Sequence, residues 1–509
     1  MNRSEPDPSS KPVPPAGEVP LDALLDFIRP ALPPRAEIYV VGGAVRDRML
    51  GQPVHDVDFV LAGNGLAAAR HTADHLEAEY YPLDPERGTG RVLVPRSGAG
   101  RLILDFSVMR GATLEEDQRR RDFTINAMAL DARDPARGFD PLGGAGDIRE
   151  KRIRVCSPDS FEDDPVRVLR AVRFAAQLGF RIEPDTRARL RASVHRLAEA
   201  SPERRRDETL KILGGRSIAA ALAVMDLLEI FPLVFPGLRE MKGVQQPEPH
   251  VHDVWEHTLR VVKHLEELLD LLTAADHDPE AGNLVTGQAV LRLGRYREQI
   301  RAQQAEALVP DRSWRGPLFL AALYHDAGKP ATQTIETDGR IRFTGHEKVS
   351  ADMARGVARD LVLSNDEKRR LVRVVRHHMR PHFLAWAGTP PTRRAIYRFF
   401  RDTGPAGADI ALLVLADVLG AYEQTLTAEM WGNYLDLSRI LLENWWEHPE
   451  ESVRPPPLLN GTDLIERFDL APGPLIGELL AKLREAQAAG EVGDRDGALR
   501  FIEDALASN

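Results

Sequence analysis

The sequence predicts an α+β fold, a small N-terminal mixed sheet carrying helices and followed by all-α domains. Three observations lead there. β-Branched and alternating runs occupy 36–61 and 102–106, early in the chain. From about residue 160 the apolar positions Val166, Leu169, Ala171, Val172, Ala175 and Leu178 recur at helical spacing, and long amphipathic stretches follow. The 509 residues allow three or four domains at roughly 150 residues each. Residues 1–20 lack the apolar stretch of a secretory signal and predict a disordered tail. Residues 36–61, EIYVVGGAVRDRMLGQPVHDVDFVLA, read as strand, loop, helix and strand, with a turn at Gly51, Gln52 and Pro53. A first domain over 21–155 and a helical region over 156–245 follow from these patterns. The prolines at 247 and 249 interrupt the helices and open a His-marked helical unit, 246–445. Within it, 273–312 has few large apolar residues and reads as an insertion or a loosely packed helix. Pro455, Pro456 and Pro457 introduce a final helical segment within 446–509.

Composition excludes several classes. Hydrophobic residues at 43% and charged residues at 28% are those of a folded globular chain. The single Cys156 forms no intrachain disulfide and provides no cysteine cluster for zinc, which suits a reducing, cytoplasmic setting. No apolar run of about 18 residues is present, so no membrane partner is expected. A net charge of −10 argues against a polyanion partner, but residues 101–216 hold 24 basic against 20 acidic groups. A nucleic-acid site belongs in that segment.

Asp56 and Asp58 stand two apart in a predicted strand, so both carboxylates project from one face while Val57 faces the other. Paired carboxylates suit Mg²⁺, a hard ion that keeps further positions for water and substrate phosphates. Asp105, in the predicted strand LILDF, is a candidate third oxygen donor. Gly42 and Gly43 lack side chains before a helix start, and Arg46 adds a positive fork, a combination suited to a triphosphate. Together these groups are equipment for nucleotidyl transfer.

The runs GGAVRD (42–47), HDVDF (55–59), RRDFTINAM (120–128), DPLGG with Asp147 (140–147) and EDDPVRVLRAVRFAAQLGF (162–180) occur in that order. This set resembles the class II tRNA nucleotidyltransferases and the bacterial poly(A) polymerases. The resemblance implies a catalytic head in which Asp56 and Asp58 bind the catalytic metal. It further implies that Gly43, Arg46 and Arg121 contact the incoming nucleotide, and that 156–245 selects the nucleotide and binds tRNA.

Asp164, Arg167, Arg170 and Arg173 recur every three residues on a predicted helix, each step slipping by about 60° around the axis. Asp164 and Arg167 then share a face. A carboxylate accepts and a guanidinium donates, so the pair is complementary to cytosine and likewise to adenine. The partners expected are the tRNA 3′ end and CTP, with ATP as the alternative, and Arg170 and Arg173 are left for phosphates or for orienting the pair. Family members that add the whole CCA end carry a longer flexible loop before RRDFTIN. Here only 106–118 intervene, which favours CC addition, with A addition and complete CCA addition as alternatives; the C-terminal half weighs against poly(A) synthesis, and the intact Asp56, Asp58, Asp105 and Arg46 set against a non-catalytic RNA-binding role.

His257, His325 with Asp326, His346, His377 with His378, and Asp417 lie on predicted helices, and imidazole with carboxylate suits a divalent transition metal. This set resembles the HD phosphohydrolase domain. By that resemblance His257, His325, Asp326 and Asp417 form a metal tetrad, and His346 with His377 or His378 supplies additional ligands. Metal-assisted hydrolysis of phosphomonoesters or cyclic phosphodiesters is the implied chemistry. The segment after Pro457 resembles the tail of bacterial tRNA nucleotidyltransferases, which weighs against poly(A) polymerase.

Overall fold

The computed structural model describes residues 19–96, 101–274, 284–310 and 312–507, and the chain forms two compact units, Met1–Ala200 and Ser201–Asn509. The tail expected over 1–20 lies outside the described residues except at its end. There Val19 is buried and its carbonyl accepts from Val54 N at 3.0 Å.

The first unit holds strands β1 (Ile38–Val41), β2 (Asp56–Leu61), β3 (Glu79–Asp84), β4 (Thr89–Pro95), β5 (Arg101–Val108), β6 (Ala129–Asp131) and β7 (Gly138–Phe139). They form one seven-stranded sheet in the order β3-β4-β5-β2-β1-β6-β7. Within this sheet, among the described residues, β2 and β5 are the pair that runs parallel, which requires a crossover, and the helix Gly65–Leu76 with the β3–β4 hairpin contributes to it. Alternation sets the two faces of β2. Val57 and Phe59 turn into the core, where the Phe59 and Phe106 rings stack at 4.6 Å. Asp56, Asp58 and Val60 share the other face, where Val60 packs with Val41 and Ala129 and leaves the carboxylates at an open end. Edge strand β3 is largely exposed and carries no apolar alternation, so its sequence gives no strand signal.

In the second unit the helix Ala406–Tyr422 is buried nearly all round, which explains its unbroken apolar run. It packs against Val254–Thr273, Asn365–His377 and Ala428–Trp446. The division between units falls inside the region 156–245. The physical reason is that its later helices join the histidine-bearing bundle: Glu266 accepts from Ile218 N at 2.9 Å, and Gly316 sits where an added Cβ would meet Leu210 O at 2.9 Å.

The loosely packed reading of 273–312 is corrected where it is described. Helices Leu284–Leu293 and Arg297–Ala305 and the turn Gly294–Tyr296 between them bury Ala289, Leu293, Tyr296 and Ile300, and Trp431 Nε1 donates to Val285 O at 3.0 Å. A few well-placed apolar residues seat these helices although the segment is polar overall. Residues 275–283 and 311 fall outside the described residues. At the C-terminal end, Leu459, Leu464, Leu479, Leu483 and Ile502 form a separate small core. Among the described residues no single helix is long and apolar enough to cross a membrane.

Candidate active site

Parallel pairing of β2 with β5 sets Asp58 directly beside Asp105, and antiparallel pairing with β1 sets Asp58 beside Val41, just before the glycine loop. Burial, then the charge of Asp105, pushes the Asp58 carboxyl up to about 6, while Arg121 acts in the opposite direction. Asp58 keeps an exposed surface although the surrounding protein desolvates its carboxyl. A carboxylate crowded by two others is an unfavourable arrangement that a bound cation relieves, so the donor set fits a hard divalent metal. Gly42 has φ of 78°, and a Cβ there would lie 3.0 Å from Asp58 Oδ2, so a side chain is excluded on both counts.

Asp105 shares the carboxylate face, as expected, but both its oxygens accept from Arg91, at 2.7 Å each. Asp105 is thus ion-paired to Arg91, which takes one acceptor position on each of its oxygens. Arg91 is the residue opposite Asp105 on β4, and the hairpin that carries it was not read from the sequence.

Arg46 folds back over its own helix start. It donates from Nε to Asp47 Oδ1 at 2.8 Å and from Nη1 to Asn126 Oδ1 at 2.8 Å, with its guanidinium 5.2 Å from the Phe174 ring centre. Gly43 begins that helix, and a Cβ there would meet Arg46 Nη2 at 3.4 Å. Arg121 donates to the buried Asp117 at 2.9 Å, and its Nη1 lies 3.8 Å from the Cβ position of Gly42. Thus Gly42, Gly43, Arg46 and Arg121 gather around the carboxylates.

The base-reading residues depart from expectation. Asp164 is extended, with φ of −153°, between helices Ser160–Asp163 and Arg167–Leu178, because Pro165 disfavours the helical state for the residue before it. The 60° stepping therefore does not apply to Asp164. The structure still brings its Oδ2 to 4.0 Å from Arg167 Nε. Arg167 is buried and donates to Ser160 O at 3.1 Å and to Arg120 O at 2.8 Å. Arg170 is committed rather than left for phosphate: its Nε and Nη2 donate to the buried Asp122 at 2.8 and 2.6 Å. Arg173 lies 4.3 Å from the Phe174 ring centre and 3.4 Å from Gln177 Oε1. Asp122, Asn126 and Phe174 thus link the glycine-loop arginine to this helix. They stand inside the RRDFTINAM and VRFAAQLGF runs, yet nothing in their spacing marks them as connectors.

In the second unit the predicted ligands converge on Asp326. Its Oδ1 lies 3.2 Å from His346 Nε2 and 3.6 Å from His378 Nε2. Its Oδ2 lies 3.2 Å from His325 Nε2 and 3.5 Å from His257 Nε2. Asp417 Oδ1 stands 3.1 Å from His257 Nε2. The rings of His325, His346 and His378 each direct Nδ1 at the carbonyl three residues earlier, at 2.7, 2.8 and 2.7 Å, which aims Nε2 into the cluster. His257 Nε2 and His325 Nε2 are buried without a hydrogen-bond partner, atoms that a metal would satisfy. Burial lowers His378 to about 4, so its imidazole is neutral and its lone pair available. Burial opposes the charge of Asp326, yet His325, Lys329 and His257 hold its carboxyl well below the usual range. Two three-residue groups able to hold a metal share Asp326: one with His257 and His325, the other with His346 and His378.

His377 is corrected. One residue earlier on the helix, about 100° round, it lies half-buried and outside both groups. His382 joins the site unanticipated: its Nε2 donates to Asp417 Oδ2 at 2.9 Å, and its Nδ1 stands 3.0 Å from Tyr434 Oη. Its place four residues after His378 is a signal that was present.

A carboxylate pair beside a glycine loop on a mixed sheet is the arrangement of a nucleotidyltransferase head, and the comparisons agree. Residues 38–154 match the poly A polymerase head domain, 179–242 the probable RNA and SrmB-binding site of polymerase A, and 254–413 the HD domain. An A-adding tRNA nucleotidyltransferase of Deinococcus radiodurans is 34% identical, the match covering 93% of this chain and 96% of that protein. A CC-adding tRNA nucleotidyltransferase of Thermus thermophilus is 30% identical over 92% and 93% of the two chains. The solved complex of a CCA-adding enzyme with CTP shares the fold, with a TM-score of 0.54 and 21% identity over 93% of this chain and 92% of that one. The chain belongs to the CCA-adding tRNA nucleotidyltransferase family, template-independent nucleotidyltransferases, and carries an HD domain.

Proposed function

We propose that this enzyme adds cytidylates to the immature 3′ end of tRNA, taking CTP and stopping before the terminal A. The observation that carries this reading is the connection after β5. Strand β5 ends at Val108 and the next helix begins at Leu114, so five residues, 109–113, span the gap. That connection is also tied down: Arg110 N donates to Asp117 Oδ1 at 2.9 Å and Ala112 N to Glu116 Oε2 at 2.8 Å. A short strap pinned to its own helix lacks the freedom of the longer loop that full CCA addition involves.

In this reading Asp56 and Asp58 hold Mg²⁺, which offsets negative charge on the triphosphate. Arg46 and Arg121 add fixed positive charge beside Gly42 and Gly43. Asp164 accepts from the exocyclic amine of the base, and Arg167 donates to its ring acceptors. The tRNA 3′ hydroxyl attacks the α-phosphorus, a new phosphodiester forms, and pyrophosphate leaves. The lone Cys156 and the absence of a membrane-length apolar run support a cytoplasmic setting.

Transcripts ending at the discriminator base, at C or at CC, each offered CTP or ATP singly, test the specificity. CTP extends the first two, and ATP leaves the CC end unextended. Efficient A addition to that end overturns the CC assignment and places the enzyme with its A-adding relative. Separately, Asp164→Ala relaxes discrimination of CTP over UTP by about tenfold or more, the worth of one bidentate base contact. Unchanged selectivity at reduced overall rate removes Asp164 from base reading.

We further propose that the second unit is a metal-dependent phosphohydrolase, holding a divalent transition metal with His257, His325, Asp326 and Asp417, and with His346 and His378 beside them. The support is the set of locked imidazoles sharing one buried carboxylate.

A further inference from the structure

Besides the cavity at the histidine–aspartate cluster, which Trp386 borders, the second unit holds another of about 260 Å³. It lies at the seam between helices Arg393–Thr403 and Ala428–Trp446 of the bundle and helix Pro474–Ala489 of the small C-terminal core. None of its lining residues belongs to either site described above. The floor is apolar: Tyr397 and Phe400 are buried, and the Phe400 ring stacks on that of Trp445 with centres 5.1 Å apart. The rim is cationic. Arg401, Arg454 and Arg484 stand there, and among the described residues no aspartate or glutamate lines the cavity. Arg373 joins them at Gly404, where an added Cβ would lie 3.6 Å from its Nη1.

The carboxylates closest to this rim are already shared out. Asp402 pairs with Arg380 and Arg401, and Glu485 with Arg394, Arg398 and Arg401. Among the described residues, Arg373, Arg454 and Arg484 are paired with no carboxylate. Guanidiniums gathered on one rim without counter-charge repel one another, in a chain whose net charge is −10, and a bound anion relieves that repulsion. Arg454 is also held ready for one. It lies 4.5 Å from the centre of the Trp445 ring, a cation–π contact that fixes the plane of its fork, and such a fork matches two phosphate oxygens at a time.

We infer that this cavity binds an oligophosphate, two or more phosphates joined through single oxygens, as in pyrophosphate or the polyphosphate end of a free nucleotide. Three features set the class. With Phe400 stacked on the indole and Arg454 over it, little aromatic face is left for a base, so the site reads charge and not the nucleoside. The volume falls just under the range of pockets for drug-sized organic ligands and is ample for linked phosphates. Backbone phosphates of RNA stand a ribose apart, too far for several to share so small a cavity, whereas linked phosphates present their charge to all these guanidiniums at once.

The test uses the full chain and calorimetry in metal-free buffer at about 0.15 M salt, where diffuse surface attraction is screened. Pyrophosphate, tripolyphosphate and inorganic phosphate are the probes. Because pyrophosphate is also a product of nucleotide addition, wild type is compared with a variant carrying Arg454→Gln and Arg484→Gln. Both side chains are exposed, so the exchange leaves the core intact. Pyrophosphate or tripolyphosphate is expected to bind wild type saturably and the variant about tenfold or more weakly, the loss of two charge-assisted contacts. Inorganic phosphate binds at least about tenfold more weakly than either, and CTP addition to tRNA by the variant stays within about twofold of wild type. A larger loss for tripolyphosphate assigns the site to nucleotide polyphosphate ends, and a larger loss for pyrophosphate assigns it to that ion. Equal affinity in wild type and variant overturns the inference, as does inorganic phosphate binding as tightly as pyrophosphate. A variant whose KM for tRNA rises while its oligophosphate affinity holds marks the rim as an RNA-backbone contact and overturns it as well.

Discussion

Asp58→Ala is expected to stop nucleotide addition, lowering the rate of CTP incorporation into tRNA by about 10³-fold or more, equivalent to ~4 kcal/mol of transition-state stabilisation. The expectation follows from the sheet. Asp58 is central to the carboxylate face, between Asp56 on its own strand and Asp105 opposite, and Asp105 already has both oxygens engaged by Arg91. No neighbour can take over its position. The same crowding predicts the sign of the control. Removing one of three close carboxylates relieves like-charge repulsion, so in metal-free buffer the variant melts at the wild-type temperature or slightly above. Single-turnover extension and a thermal melt on one preparation separate the two effects. A variant that extends tRNA within tenfold of the wild-type rate removes Asp58 from the chemistry. Activity lost together with a lowered melting temperature indicates damage to the fold instead.

Asp326→Asn is expected to empty the second site and abolish phosphohydrolase activity, while CTP addition by the same preparation stays within about twofold of wild type. One substitution suffices because Asp326 belongs to both candidate metal groups. Asparagine retains the shape of the side chain but loses the charge that offsets Lys329 and the surrounding imidazoles. Either substitution removes one partner of a buried ion pair, a cost of about 3–5 kcal/mol, and truncation to alanine adds the cost of a cavity. The isosteric variant is therefore the cleaner probe, with alanine as the stability control. Metal content by elemental analysis provides a readout independent of turnover. Full metal occupancy in Asp326→Asn contradicts the ligand assignment, and parallel loss of nucleotide addition contradicts independent sites on the two compact units.

Much of the catalytic face was legible because a strand has a strict period of two. Asp56 and Asp58 had to share a face wherever β2 lay in the sheet. Gly42 was legible as half of a double glycine before a helix start, and the structure adds why no side chain fits there: its conformation and its approach to Asp58. The residue triplets after Asp164 were less informative. Periodicity presumes one continuous helix, and Pro165 places Asp164 outside it, so the pair with Arg167 forms through a helix start rather than along a helix face. The histidines showed the same limit. Sequence named His377 and His378 as equal alternatives, and the choice depended on which residue the helix Asn365–His377 turned toward Asp326.

Local pattern by itself therefore determined the α+β class, the carboxylate face, the glycine loop and the chemical types that meet at each site. Those properties follow from backbone period and side-chain chemistry, which act over a few residues. Tertiary structure alone decided that Arg91 neutralises Asp105, that Asp122 holds Arg170, that Asp326 is shared between two ligand groups and that Trp386 borders their cavity. Each of these joins segments far apart in the chain, and such contacts are set by strand order and helix packing, on which no short window of sequence carries information.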